Sequence, residues 1–274
     1  MARLPKKAVE RITGGLKRFQ PILASAKSRD VNESDTVVIV TDLLQEIFGY
    51  DKYAEITSEH MIRGTFCDLA VKLESALAFL IEVKAIGLDL KEQHIKQAVD
   101  YAANQGCEWV ALTNGCAWKV YKVTFSKPIE HELVVSFDLP ALNHRNGEHI
   151  ELVGLLAKEG WQRAHLGEYH SQRQALSRFT LGALILSDPV LDVVRREIRR
   201  LSPDVRVETE DVRAVVEAEV LKREVLEGER AEAARRQVAR AAGRTLRAAK
   251  AESPVEAQPA QTAEPPRVSE EPVK

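Results

Sequence analysis

The chain has 274 residues, of which 45% are hydrophobic and 29% charged, and its formal net charge is -2. This length suffices for one large domain and a smaller one, and a core of that size needs no disulfide staples. Because the net charge is slightly negative, any affinity for nucleic acid has to come from a local basic patch rather than from the charge of the whole molecule.

The cysteines and the apolar runs exclude two further classes of protein. Cys67, Cys107 and Cys116 form no Cys-x-x-Cys pair and have no histidine cluster beside them, which argues against a structural zinc site and suits a reducing compartment. The basic N-terminus is not followed by a long apolar stretch, and the run 181–186 is too short to span a bilayer. We therefore expect a soluble, cytoplasmic protein without a membrane segment.

Two helices are predicted at the start of the chain. Residues 4–28 have the pattern of a basic helix or helix pair, weakened at Gly14-Gly15 and Pro21. A second helix begins after Asn32, whose side chain can cap it, and carries apolar residues at helical spacing as far as Gly49.

The next segment is predicted to form a mixed sheet. Strand patterns occupy residues 53–60, 66–73, 77–85, 109–113, 117–125 and 133–137. A turn at Ser75-Ala76 separates the second strand from the third, and a hairpin turn at Asn114-Gly115 separates the fourth from the fifth. A helix lies between the third and fourth strands, from about Leu90 to Gln105, and Gly106 ends it. This order predicts an α/β fold, a sheet flanked by helices.

After about residue 140 the strand patterns stop and helical ones follow. The domain organisation predicted from these patterns is a basic N-terminal helix (1–30), a core (31–140), a helical region (141–250) and a disordered tail rich in Pro, Glu, Ala and Ser (251–274).

Two charged residues interrupt an apolar strand at 77–85. Glu82 and Lys84 lie on the same face, about 7 Å apart along the strand, because side chains alternate with a period of two. Antiparallel pairing across the predicted turn brings Asp68 opposite Glu82, or one residue away. One interpretation is a buried ion pair that only fixes the register. That interpretation leaves Asp68 adding a second negative charge, which a cation such as Mg²⁺ or Mn²⁺ would compensate.

The helix after this strand presents Gln97 and Tyr101 at positions i and i+4, one turn after His94. On a solvated helix such a pair is unremarkable. Directly after the strand with Glu82 and Lys84, however, a βα unit can lay this face beside the charged cluster. We therefore include Gln97 and Tyr101 in the candidate site.

Asp68, the Glu82-Val83-Lys84 triplet and Gln97-x-x-x-Tyr101 resemble the RecB-like branch of the PD-(D/E)xK nucleases. The stretch 42–123 is more closely similar to the N-terminal nuclease domain of type I restriction enzyme R subunits. Five segments carry this resemblance: LLQEIFGYD (43–51), RGTFCDLA (63–70), IEVKA (81–85), QAVDYA (97–102) and LTNG (112–115).

The resemblance implies a restriction-endonuclease-like core and a role for each motif residue. Asp68 and Glu82, with the main-chain carbonyl of Val83, would hold the catalytic Mg²⁺ or Mn²⁺, and Lys84 would orient or deprotonate the attacking water and offset charge on the phosphate. Gln97 would position Lys84 or the water, and Tyr101 would contact the DNA strand. Many members add a carboxylate from a helix, for which Glu46 is the candidate here; a solvated helix face is the alternative. The usual leading proline is absent, since Phe66-Cys67 precede Asp68.

The expected activity is a stand-alone metal-dependent DNA endonuclease, a phosphodiester hydrolase serving defence against foreign DNA, as in a restriction system, or repair. No Gly-x-x-x-x-Gly-Lys-Ser/Thr phosphate loop is present, so we expect no helicase motor. The first alternative is a non-catalytic nucleic-acid-binding or adaptor protein that retains the nuclease fold. The second is an oligomerisation or partner-binding module in the helical half, with a seam of Val212, Val216, Val220 and Val225.

Two basic stretches could contact DNA phosphates. The first directly precedes the predicted core and is the one we favour; its residues are Lys6, Lys7, Arg11, Lys17 and Arg18. The second is an Ala/Arg-rich C-terminal helix, which we interpret as a solvated face; its residues are Arg235, Arg236, Arg240, Arg244 and Arg247.

Overall fold

The computed structural model describes residues 3–62 and 65–251. In chain order the elements are α1 (Lys6–Ser28), α2 (Glu33–Glu46), β1 (Ile56–Ile62), β2 (Thr65–Leu73), β3 (Ala76–Val83), α3 (Lys96–Gln105), β4 (Trp109–Thr113), β5 (Ala117–Thr124), β6 (Glu130–Asp138), α4 (Gly147–Gly154), α5 (Lys158–Gln162), α6 (His165–Ala175), α7 (Arg178–Ile185), α8 (Asp188–Leu201), α9 (Thr209–Val215), α10 (Arg223–Leu226) and α11 (Glu229–Ala251). Short 3-10 turns span Glu92–His94 and Leu139–Ala141, and a π-helical turn spans Val216–Val220. Apart from its first residue, the tail predicted to be disordered (251–274) lies outside the described residues, as do Arg63 and Gly64 of the RGTFCDLA segment.

The six strands form one sheet in chain order, β1 to β6. β3 and β4 are parallel, and the other neighbouring pairs are antiparallel. Because parallel neighbours need a crossover, α3 connects β3 to β4. The predicted fold class is thereby confirmed: a mixed sheet flanked by helices, followed by a helical C-terminal region.

Helices cover both faces of the sheet. On one face α1 and α2 pack over Leu69, Val71 and Ile81 in the larger apolar core. On the other, α3 packs over Ala70, Leu80 and Leu112 in a smaller core. α4 and α5, which the sequence assigns to the helical region, also contribute to the larger core.

The β2–β3 hairpin sets the register of the candidate site. Its turn is Glu74-Ser75, one residue earlier than predicted, and both residues have positive φ (51° and 68°), as the type I′ form of a two-residue hairpin loop requires. Leu73 pairs with Ala76 and Lys72 with Leu77, but beyond Lys72 the register shifts and leaves Ala78 as an extra bulged residue. From there Leu69 pairs with Ile81, so the next residue, Asp68, falls opposite Glu82. Without the bulge, Asp68 would lie opposite Ile81 and point to the other face.

α1 is a single helix that continues through Pro21. Gly15 allows its close approach to the end of α2, since a Cβ there would lie 2.7 Å from Ile47 Cγ1 and 3.2 Å from the carbonyl oxygen of Glu46. As predicted, Asn32 caps α2, its side chain accepting a hydrogen bond from the amide of Asp35.

The chain divides after Arg173 into two compact units, and the second begins at Gln174. In the second unit α7 packs closely on α10, because a Cβ on Gly182 would lie 2.7 Å from Val225 Cγ1. The predicted valine seam is not one continuous helical stripe: α9 ends at Val215, the next turn is π-helical, and Leu221 is extended. Val212 is buried within this unit, whereas Val220 is 64% exposed.

None of the helices in the described ranges is both long and apolar enough to cross a membrane.

Candidate active site

Asp68 and Glu82 meet on the α3 side of the sheet. Glu82 alternates with Ile81 and Val83, which face the larger core, so its side chain points to the opposite face. Asp68 shares that face because it lies opposite Glu82. The Asp68 carboxylate also accepts a hydrogen bond from the amide of Val83, with 2.6 Å between Oδ2 and N. The convergence predicted from the sequence is therefore present.

Lys84 follows the last residue of β3 and links two carboxylates. Its Nζ lies 2.8 Å from Glu82 Oε1 and 3.4 Å from Glu33 Oε1. The Lys84 side chain is 17% exposed and Glu82 is buried, whereas Glu33 is about half exposed. Two carboxylates from different elements thus share one ammonium group.

The surroundings shift the pKa values of these groups. Burial raises the pKa of Glu82; the hydrogen bond from Lys84 opposes the rise, and the charge of Asp68 adds to it. Burial alone would lower the pKa of Lys84, but its hydrogen bond to Glu82 and the nearby carboxylates raise it. Next to them, burial raises the pKa of the Cys67 thiol to about 12, so this cysteine stays neutral. The site is thus a desolvated place where negative charge is costly.

Gln97 and Tyr101 lie on α3, over the same face of the sheet, but their environments differ. Gln97 is exposed, whereas Tyr101 is 1% exposed and belongs to the smaller apolar core. Burial raises the pKa of the Tyr101 hydroxyl. α3 begins at Lys96, later than predicted, so His94 lies in the preceding 3-10 turn and not on this helix.

The structure does not bring Glu46 to the cluster. Glu46 is the last residue of α2 and forms an ion pair with Arg18. Glu33 is the first residue of the same helix, so the two carboxylates are separated by about 20 Å along its axis. Sequence reasoning missed Glu33 because a carboxylate in the first turn is equally explained by the helix dipole.

The basic residues predicted to contact DNA fall into two groups on α1. Lys6, Lys7, Lys17 and Arg18 are exposed. Arg11 is engaged in the fold: its guanidinium donates to both carboxylate oxygens of Glu159, at 2.7 and 2.6 Å, and to the carbonyls of Ile47 and Phe48. Arg11 therefore joins α1 to the end of α2 and to α5.

The donor set has the chemistry that a hard divalent cation prefers. Asp68 and Glu82 offer carboxylate oxygens. Burial, and to a smaller extent the charge of Asp68, raises the pKa of Glu82, and a cation would stabilise its ionised form. Across residues 3–62 and 65–251, no group of three or more His, Cys, Asp and Glu side chains is arranged to hold a metal ion. The expected ligand set is smaller, since it combines two carboxylates with the main-chain carbonyl of Val83.

The mixed sheet flanked by helices is consistent with an α/β nuclease-like fold, and two carboxylates and a lysine converge on it. Residues 38–136 match the family model described as type I restriction enzyme R protein N terminus (HSDR_N). The matched segment contains Asp68, Glu82, Lys84, Gln97 and Tyr101, so the resemblance seen in the sequence is confirmed for this part of the chain. This family match suggests a nuclease-related role for the matched segment. Comparison with curated proteins and with solved structures gives no match.

Proposed function

We propose that the first unit is a metal-dependent deoxyribonuclease that hydrolyses phosphodiester bonds at the end of β3. The observation that carries this proposal is the convergence of Asp68, Glu82 and Lys84 at the end of the otherwise apolar strand β3, where the bulge at Ala78 places Asp68 opposite Glu82. Fixing the fold alone does not require two carboxylates at a desolvated position, where burying charge costs several kcal/mol.

Asp68, Glu82 and the carbonyl of Val83 would hold Mg²⁺ or Mn²⁺. Such an ion supplies Lewis-acid activation of a phosphoryl oxygen and lowers the pKa of water that it binds. The donor chemistry fits, because these hard oxygens are the ligands that both ions prefer.

Lys84 would orient the attacking water and offset negative charge on the phosphate. Its ammonium group donates hydrogen bonds and accepts none, so in this arrangement it acts as a donor and a positive charge rather than as a base. Glu33 would hold the same ammonium as a second carboxylate partner.

α3 would contribute Gln97 to the open side of the site, where an exposed amide can contact Lys84, water or DNA. For Tyr101 the buried ring favours packing α3 against the sheet over direct contact with DNA. We assign the contacts with DNA phosphates to the exposed Lys6, Lys7 and Lys17 of α1.

A plasmid-nicking assay tests the proposal. Wild type should nick supercoiled DNA with Mg²⁺ or Mn²⁺ and lose this activity in EDTA. Glu82→Gln keeps the shape of the side chain and removes its charge, so the variant should be inactive in all three conditions. As a matched control, Glu55→Gln removes a carboxylate whose ion pair is with Lys158, outside the cluster, and should cleave like wild type. A folded wild-type protein that binds DNA without nicking it would instead favour a non-catalytic binding protein.

A further inference from the structure

Asn114 lies in the segment LTNG (112–115), which carries part of the family resemblance and has no role in the site so far. It is 7% exposed and lies in the turn between β4 and β5. Its Oδ1 accepts hydrogen bonds from the amides of Cys116, at 3.1 Å, and Ala117, at 2.7 Å. This acceptor half of the side chain shapes the turn.

The donor half of the same side chain reaches a different part of the chain. Nδ2 donates to the carbonyl of Ile86, at 3.3 Å, and to that of Leu88, at 3.0 Å. Both carbonyls belong to the loop that leaves β3. Asn114 thus uses both of its hydrogens and accepts two bonds, which is the full capacity of a buried amide. Closing its own turn requires only the acceptor.

The loop held by Asn114 begins directly after Lys84. On the other side, the amide of Lys84 donates to the carbonyl of Thr113, at 2.8 Å. Thr113 and Asn114 are consecutive residues at the end of β4, so the main chain is fixed both at Lys84 and at the loop that follows it. Ile86, inside this loop, is completely buried. The main chain from which the Lys84 side chain extends is therefore held in one place.

We propose that Asn114 is a positioning residue for the nuclease site: by holding the Ile86 and Leu88 carbonyls, it fixes Lys84 between Glu82 and Glu33. This inference rests on the proposed function, because it assigns Asn114 an effect on cleavage that acts through Lys84. The alternative is that Asn114 only closes the β4–β5 turn.

Two substitutions separate these roles. Asn114→Asp keeps the acceptor for Cys116 and Ala117 and removes the donor, so the turn persists and the link to the loop is lost. Asn114→Ser is a second variant, whose hydroxyl can serve the turn but is too short to reach the loop. The matched control is Asn143→Asp, the same chemical change at an exposed asparagine whose Oδ1 accepts from the amide of Arg145.

The experiment compares DNA binding in Ca²⁺ with the single-turnover cleavage rate in Mg²⁺, well below each melting temperature. For the Asn114 variants we expect cleavage to fall about tenfold or more with a Kd within about twofold of wild type, because a small misplacement of a catalytic group lowers the rate and not the binding. The control should match wild type in both measurements.

Three results would overturn the inference: wild-type cleavage by a folded Asn114 variant, a loss confined to DNA binding, or failure of both variants to fold, which would make Asn114 a folding residue. If wild type and the Asn143 control do not cleave either, the proposed function itself fails. The two failures are therefore distinguishable.

Discussion

Lys84 connects carboxylates from two elements that are distant in sequence, Glu82 in β3 and Glu33 at the start of α2. An ammonium that contacts two carboxylates has less rotational freedom than one that contacts a single carboxylate, which matters for the proposed role of Lys84 in orienting water. Glu33 therefore occupies the place near the cluster for which the sequence suggested Glu46.

This difference predicts different effects for two substitutions in one helix. Glu33→Gln removes one of the two partners of Lys84, so we expect the single-turnover cleavage rate to fall about tenfold. Glu46→Gln removes only the exposed ion pair with Arg18, worth about 0–1 kcal/mol, and should leave the rate unchanged. If Glu46→Gln slowed cleavage and Glu33→Gln did not, Glu46 rather than Glu33 would be the helical carboxylate of the site.

Arg11 and Glu159 give a second prediction, on stability. The Arg11 side chain is about a quarter exposed; its guanidinium binds both carboxylate oxygens, and this bond lowers the pKa of Glu159. Glu159→Gln should lower the free energy of unfolding at pH 7 by about 1–3 kcal/mol, because charged hydrogen bonds are lost. Glu10→Gln, which removes an exposed pair with Lys6, is the control and should change it by about 0.5 kcal/mol or less.

The lowered pKa of Glu159 sets the sign with which the stabilisation by the Arg11–Glu159 pair depends on pH. A carboxylate with a depressed folded-state pKa stabilises the protein above its unfolded pKa, about 4.3, and this contribution is lost as pH falls through the folded value. Urea unfolding of wild type and Glu159→Gln should therefore converge as the pH is lowered below about 4. A difference that stays constant across this range would contradict the ion pair.

At the scale of elements, the strands and their order follow from the sequence, whereas the exact register does not. Alternating and apolar runs indicate β2 to β5 to within a residue or two, and Gly106 ends α3 with positive φ as predicted. The turn was predicted one residue late, because Glu74 and Ser75 are not residues that favour positive φ. The bulge at Ala78 leaves no mark in the hydrophobic pattern, although it decides which face Asp68 occupies.

Contacts between distant elements are likewise invisible in a single sequence. Helical periodicity shows which face of α2 is apolar. It does not show that the first residue of this helix, Glu33, reaches the site whereas the last, Glu46, does not. The pairing of Arg11 with Glu159, 148 residues apart, has no local signal, so Arg11 looked like one more exposed cation of a basic helix.

The exposed basic residues of α1 lead to a prediction about DNA binding. Lys6 and Lys17 are eleven residues apart and so lie on the same face, about three turns from each other, with Lys7 beside Lys6. In Ca²⁺, the triple change Lys6→Glu, Lys7→Glu and Lys17→Glu should weaken binding to every DNA sequence alike. The slope of log K against log salt should shrink by about 0.9 for each lost phosphate contact.

Arg11 is left out of this test because its loss would destabilise the fold. The matched control reverses three charges on α11, at Arg235, Arg236 and Arg240, and should leave the slope unchanged. An unchanged slope in the α1 variant would exclude α1 as the DNA-binding surface.

At the scale of the whole molecule, the net charge of -2 means that the proposed DNA binding would depend on local features, namely the basic face of α1 and the proposed cation at the cluster. The resemblance noted in the sequence and the family match agree on the part of the chain that holds this cluster, residues 38–136. The oligomerisation seam of Val212, Val216, Val220 and Val225 stays a prediction, and helical spacing alone cannot show that the chain leaves the α-helix at Val216–Val220.

Cation binding by Asp68 and Glu82 is tested most directly by the melting temperature measured with and without Mn²⁺. A ligand that binds only the folded state at 100 times its Kd stabilises it by about 2.7 kcal/mol, so wild type should melt several degrees higher with the ion. Asp68→Asn, which removes one charge of the cluster, should lose most of this increase. The control Asp42→Asn, which removes a carboxylate paired with Lys52, should keep it. Equal stabilisation of all three proteins by Mn²⁺, or of none, would contradict a cation site at the end of β3.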